Sequence, residues 1–299
     1  MNRSITPLEL SVLWASYARF REPHIAQSTL ILDYAKISRR IEIMLETSPD
    51  LQTSMQMREW LLQRYAKETA RRTLVQFQAA CRWALLSGHL ESNPFEGLTR
   101  YLTDRRRSPT AWAAFTLAER DAILKAFESE APFYLNWPQF LFWTGCRPEE
   151  AAALRWRHIA ADLSEILIYE AEPIEAGIVQ ATKNYRTTRF PCNNRLRFLL
   201  AGLRPWPLDQ NERVFKGIKG GRFNYTNFQR RHWRPIVERL AAEGQIAFYL
   251  SQYHCRHTFI TEACERMRVK DVSYLCRVST TILLKHYMGR SRNLEVPEF

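Results

Sequence analysis

Trp143-Thr-Gly-Cys-Arg-Pro-Glu-Glu150 sets an arginine between two helices, and the organisation of the second half of the chain can be read outward from it. Upstream, residues 134–142 have helical character. Downstream, Pro148 takes a first-turn position, where a missing N–H is no loss and a fixed φ suits the helix. Glu149, Glu150 and an Ala-rich run follow, and acidic residues there complement the positive end of the helix dipole. Earlier, Phe115-Thr-Leu-Ala-Glu119 opens another helix, expected to run to about Phe127. Thr116 can cap its first turn and Glu119 can return a bond to the cap's own amide.

Beyond the Ala-rich run, Ile166-Leu-Ile-Tyr169, Gly177-Ile-Val-Gln-Ala-Thr182 and Thr187-Thr-Arg-Phe190 are short and β-branched or aromatic, which predicts a small sheet. Lys183, in Thr182-Lys-Asn-Tyr-Arg-Thr-Thr-Arg-Phe-Pro191, then falls beside a turn. From Asn193 onward helices return, interrupted by the loop Lys216-Gly-Ile-Lys-Gly-Gly221. The first third reads as helix throughout, with apolar positions three and four apart, as in Leu10, Leu13, Trp14 and Tyr17. A second helical segment is expected over 28–45 and a third over 55–87, broken near Lys67-Glu-Thr-Ala70; Asn93-Pro-Phe95 ends the run, because a residue before proline is pushed out of helical geometry. The charged Thr103-Asp-Arg-Arg-Arg-Ser-Pro-Thr110 marks a linker. The expected organisation is a helical domain over 1–100, a basic linker over 101–114 and a mixed domain over 115–299, giving a mainly α fold with a small antiparallel β-sheet.

Lys and Arg outnumber Asp and Glu by 43 to 31, a formal charge of +12 that favours a polyanionic partner, since each neutralised phosphate releases counterions. Charge alone does not choose between a nucleic-acid surface and a solvated face. Six cysteines lie scattered without zinc-type or redox-type spacing, so reduced thiols, no metal and no cofactor are expected. No stretch approaches the roughly 20 apolar residues of a membrane span. A soluble, intracellular, DNA-associated protein is the expectation.

Two further boxes join the opening one: Tyr253-His-Cys-Arg-His-Thr258 and Lys285-His-Tyr-Met-Gly289. Arg147, Lys183, Arg256 and Tyr287 together supply what phosphodiester cleavage requires. Arginine forks grip the non-bridging oxygens. A loop-borne lysine can protonate the leaving alkoxide. A phenol can form a covalent phosphoester that conserves the bond for rejoining. Singly, each has a plainer reading: Arg147 paired with Glu150, Lys183 as a solvated hairpin lysine, Tyr287 as an interface tyrosine, and His257 and Thr258 as structural, with His257 satisfying a buried bond.

In order and in context, these boxes resemble those of the tyrosine recombinases, the phage-integrase family of site-specific DNA recombinases, over roughly 110–299, and the helical first domain is similar to that family's core-binding domain. The resemblance implies a helical core-binding domain plus an α+β catalytic domain. Arg147 and Arg256 would be the phosphate clamps, Lys183 the general acid, and Tyr287 the nucleophile that leaves a 3′-phosphotyrosine. Glu150 matches the acidic position of the first box. Tyr253 stands where the family usually has His, and its hydroxyl could still bond the phosphate. His254 is one residue out of register, about 100° round a helix. The family's Gly-His pair falls on Arg277 and Val278. Valine cannot donate a hydrogen bond to a charged oxygen, a loss of about 1.5–3 kcal/mol and so roughly one to two orders of magnitude in rate.

The resemblance further implies double-stranded DNA held by a two-domain clamp, a homotetramer on two DNA sites, and an accessory DNA-bending or directionality factor as an optional partner. Arg71, Arg72, Arg82, Arg222, Arg230 and Arg231 are candidate DNA contacts, with a solvated face as their alternative. The drift at Tyr253 and Val278 leaves a second function class open: a catalytically impaired or inactive DNA-binding protein on the same scaffold, with a regulatory role.

Overall fold

A computed structural model of the chain describes residues 5–102, 111–182 and 187–287. The chain divides into two compact units, Met1–Arg107 and Ser108–Phe299.

Among the described residues, the first unit is built from four α-helices. α1 (Pro7–Arg21) starts at Thr6, whose side chain accepts from the Glu9 amide while Glu9 accepts from the Thr6 amide. A π-helical stretch, Thr29–Tyr34, runs into α2 (Ala35–Thr47). α3 (Ser54–Arg64) and α4 (Lys67–Leu86) are separate helices broken at Tyr65, which is extended, just ahead of the break expected from the sequence. Leu10, Met44, Met57, Leu61, Leu74 and Phe77 are fully buried between them. Each such side chain contributes about 1.5–3 kcal/mol of burial.

The second unit holds α5 (Leu117–Glu130), α6 (Asn136–Thr144), α7 (Pro148–Ala153), β1 (Glu165–Ile168), β2 (Glu170–Ala171), β3 (Gln180–Ala181), β4 (Thr188–Pro191), α8 (Asn194–Leu203), α9 (Tyr225–Phe228), α10 (Arg234–Ala242), α11 (His254–Arg266), α12 (Val269–Cys276) and α13 (Thr280–His286). The strands form two antiparallel ladders where one sheet was expected: β1 pairs β4, with Ile166 opposite Phe190, and β2 pairs β3, with Glu170 opposite Ala181. The stretch 177–182 contributes only Gln180–Ala181, because its glycine turns at φ +70° and leaves the extended region.

α6 packs against α11 at the centre of this unit. Trp137 and Trp233 are almost wholly buried, and their indole N–H groups donate to Gln252 Oε1 at 2.8 Å and to the Leu250 carbonyl at 2.9 Å. Both bonds fix the segment that leads into α11. A buried indole N–H left unpaired costs about 1–3 kcal/mol, so these contacts hold the α11 start as well as filling the core.

Candidate active site

The first box turns the chain between α6 and α7. Gly145 closes α6 at φ +62°, and a Cβ built there would lie 2.6 Å from Phe259 Cδ1, so glycine is required by backbone and by packing. Arg147 caps α7, its amide donating to Glu150 Oε2 at 2.9 Å and its guanidinium to Glu150 Oε1 at 2.7 Å. Arg147 thus does pair with Glu150, yet its side chain keeps a quarter of its surface exposed.

Arg256, on the first turn of α11, is buried. Its Nη1 donates to the Gly145 carbonyl at 2.7 Å and its Nη2 to the Cys276 carbonyl, tying the first box to the end of α12. Tyr253, the residue before α11, is more than one-third exposed. The His254 ring is turned back to Ser251, with Nδ1 3.1 Å from Oγ and 3.2 Å from the carbonyl.

The positions matching the Gly-His pair behave differently from each other. Arg277 ends α12 in the left-handed region at φ +54°, a conformation that favours glycine. Its side chain is held there by a two-pronged ion pair: Nη2 donates to Glu150 Oε2 at 2.6 Å and Nε to Oε1 at 3.1 Å. Burial alone would raise the Glu150 carboxyl; Arg277 first, then Arg147 and Arg256, overcome it and hold it at about 2. Arg277 is correspondingly held charged despite its own burial. Val278 packs its side chain against the core of the unit, while its carbonyl accepts from Ser273 Oγ at 2.7 Å.

α13 is short and anchored by the fully buried Leu283. Tyr287 follows it, its amide donating to the Leu283 carbonyl at 2.9 Å. The phenol folds back onto α11, where Oη lies 2.5 Å from His257 Nδ1. Burial raises the Tyr287 hydroxyl well above its ordinary value, with the Arg256 charge pulling the other way. The same burial, reinforced by His254 and Arg256, pushes His257 down to about 4. Trp112 closes over this pair: it stacks on His286 with ring centroids 3.9 Å apart and meets Tyr287 and His257 edge-on at 5.7 and 5.4 Å.

Arg147, Tyr253, Arg256 and Tyr287 therefore converge within the second unit: Tyr253 bears electrostatically on both Arg147 and Tyr287, and Arg256 on Tyr287. Lys183 lies outside the described residues, as do the charged stretch 103–110 and the C-terminal 293–299. Sequence reading missed the bond between His257 and the phenol, the Arg277–Glu150 pair and the Trp112 cover. For Trp112 the only signal was a lone indole just past a charged run.

The six candidate DNA arginines are all on the surface in part. Arg71 and Arg72 both donate to Glu68, and Arg82 is exposed on α4. Arg222 pairs with the buried Glu172 at 2.6 Å, Arg230 reaches Asn227 Oδ1 at 3.4 Å, and Arg231 is exposed. Among the described residues no group of three or more His, Cys, Asp or Glu side chains could hold a metal ion, and no helix is long and apolar enough to cross a membrane.

The fold, mainly helical with small antiparallel strand pairs, is shared with solved integrase structures. Among solved structures, the chain is similar to the Tn1549 transposon integrase (residues 82–397) in complex with circular intermediate DNA, at a TM-score of 0.75 and 17% identity over 93% of this chain and 94% of that one. It is similar also to lambda integrase (residues 75–356) bound to DNA, at a TM-score of 0.67 and 14% identity over 98% and 100%. A lambda integrase tetramer bound to a Holliday junction matches at a TM-score of 0.67 and 15% identity over 93% and 79%. No family model and no curated protein matched the sequence. At such identities the likeness defines the fold.

Proposed function

We propose that the protein is a site-specific DNA recombinase that cleaves and rejoins duplex DNA through a 3′-phosphotyrosine on Tyr287. The observation that carries this reading is the return of the Tyr287 phenol onto the arginine-bearing helix α11, in the same unit as Arg147. Arg147 and the remaining N–H groups of Arg256 grip the non-bridging oxygens of the scissile phosphate, where positive charge stabilises the pentacoordinate transition state. The Tyr253 hydroxyl donates to the same phosphate. Tyr287 attacks in line, and Lys183 protonates the departing 5′ oxygen. Religation runs the steps in reverse. The helices of 1–100 form a core-binding domain, 101–114 a linker and 115–299 the catalytic domain. Arg71, Arg72, Arg82, Arg222, Arg230 and Arg231 contact the DNA backbone. Four copies on two DNA sites form the working assembly, with an accessory DNA-bending or directionality factor as a further partner, as the DNA-bound and tetrameric neighbours suggest.

One observation favours a second reading. The Val278 side chain is packed in apolar surroundings at a position where a hydrogen-bond donor would serve catalysis, which is what a DNA-binding regulator without strand cleavage would tolerate. A nicked suicide duplex separates the two. The recombinase yields a covalent adduct that Tyr287→Phe abolishes; DNA binding without any adduct establishes the regulator instead.

A further inference from the structure

The boxes that carry phosphate chemistry leave the nucleophile without an obvious proton acceptor. Tyr253 offers an O–H of its own, Val278 has no polar side-chain atom, and His254 faces Ser251. The imidazole that reaches the reacting oxygen comes from another position. We propose that His257 is the general base of strand cleavage, taking the phenolic proton of Tyr287 through Nδ1. This rests on the recombinase reading and deepens it.

Three observations carry the assignment. The 2.5 Å separation of Nδ1 and Oη is within direct proton-transfer reach, with no water between. With the imidazole's own proton on Nε2, Nδ1 presents a lone pair to the phenol. The surroundings keep that lone pair available: His257 is buried, and the charged and titratable groups around it are Tyr253 just before α11, His254 and Arg256 on α11 and Tyr287 beyond α13, with Cys264 and Cys276 also bearing on the phenol. Burial, His254 and Arg256 all disfavour the imidazolium, so the ring is neutral at pH 7. Trp112 then covers the pair edge-on, limiting competition from water for the phenol.

The same environment keeps the pair neutral at rest. With the phenol raised and the imidazole lowered, transfer is uphill until a phosphorus accepts the oxygen lone pair. As the Oη–P bond forms, the O–H bond breaks and the proton passes to Nδ1. The P–O5′ bond breaks, and the departing oxygen takes its proton from Lys183. On religation the 5′ hydroxyl attacks phosphorus, returns its proton to Lys183, and Tyr287 recovers its own from the imidazolium. No oxidant or co-reactant is needed.

The test is adduct formation by the full chain on a nicked suicide duplex at saturating protein, from pH 5.5 to 8. With His257 as base the wild-type rate is nearly flat, because the imidazole is already deprotonated. His257→Asn, which keeps an acceptor near the phenol and cannot carry the proton, should fall by about 100-fold at pH 7 and climb about tenfold per pH unit as hydroxide takes over. DNA affinity should stay unchanged. A substrate with a 5′-bridging sulfur, whose thiolate leaves without a proton, should rescue Lys183→Ala and not His257→Asn. Cleavage by His257→Asn within about threefold of wild type, or its rescue by the sulfur substrate, overturns the assignment. Should that variant fail to fold, a wild-type rate that itself rises tenfold per pH unit overturns it equally. Absence of any wild-type adduct sinks the recombinase reading and the base with it, so the two failures are distinguishable.

Discussion

Glu68 on α4 and Glu150 on α7 each accept hydrogen bonds from two arginines, the first on an exposed helix face of one unit and the second deep within the other. Glu68 meets Arg71 and Arg72 at helical spacings of three and four; Arg72 is largely in solvent, Glu68 about half so and Arg71 partly covered. Glu150 meets Arg147 three residues away and Arg277 from across the fold, and it is only 2% exposed. Both carboxylates are lowered to about 2, the first chiefly by hydrogen bonds from Arg71 and Arg72, the second against the opposing effect of burial. Equal depressions therefore carry unequal weight: water screens the first cluster, whereas the second is a structural joint between the first box and the end of α12.

The largest effect expected is at that joint. Arg277→Ala leaves a buried carboxylate with Arg147 as its one arginine hydrogen-bond partner and should lower unfolding free energy by about 3 kcal/mol in urea titrations. Arg277→Gly loses the same pair but relieves the left-handed backbone, and should recover about 1 kcal/mol relative to the alanine variant. A loss at Arg277 as small as a surface pair's would break the contrast.

Acid should act on the second unit in two windows. His257 is depressed from 6.5 to about 4, so between those values the unfolded chain binds the extra proton and stability falls as pH falls. The fall should be on the order of 3 kcal/mol and absent in His257→Asn. Glu150 is depressed from 4.5, so its contribution is intact above that value and is lost as pH drops toward 2. Urea midpoints followed from pH 8 downward should show the His257 window first; a midpoint that stays level until pH 4.5 contradicts the burial of that imidazole.

Next to Arg277, Val278→His would place a donor where apolar packing now stands. On the recombinase reading it should raise the adduct rate by roughly ten- to a hundredfold, read on the suicide duplex. No gain would mean that the neighbourhood has adapted to valine. The smallest effect belongs to the exposed cluster. Glu68→Gln should change stability by less than about 1 kcal/mol, while tightening DNA binding at low salt and steepening its salt dependence by about one to two counterions. A stability loss comparable to that of Arg277→Ala would erase the distinction between the two clusters.

What could be read from the chain follows the same division between near and far contacts. The Thr116–Glu119 capping box, the Pro148 helix start and the helical first third rest on interactions within a few residues, and the structure has them. The strand pairs were visible as short β-rich runs, but their division into two ladders depends on partners well apart in sequence, as with Glu165 opposite Pro191. At the site, each box was legible as a run of residues. The joining contacts were not: Arg277 finds Glu150 127 positions away, Arg256 finds the Gly145 carbonyl 111 away, and His257 finds Tyr287 30 away. No periodicity reports such pairs, since they are set by the way α11 packs on α6 and α12 on α11.

Gly145 shows where this scaffold has no latitude. Its carbonyl receives Arg256, its backbone is left-handed, and the space a side chain would need is filled by Phe259, itself on the helix that bears Arg256. Any substitution there would pry α11 away from the turn and swing the guanidinium with it. In any set of variants residue 145 belongs among the positions to hold constant, because a single methyl group at it would displace the helix and its buried arginine together.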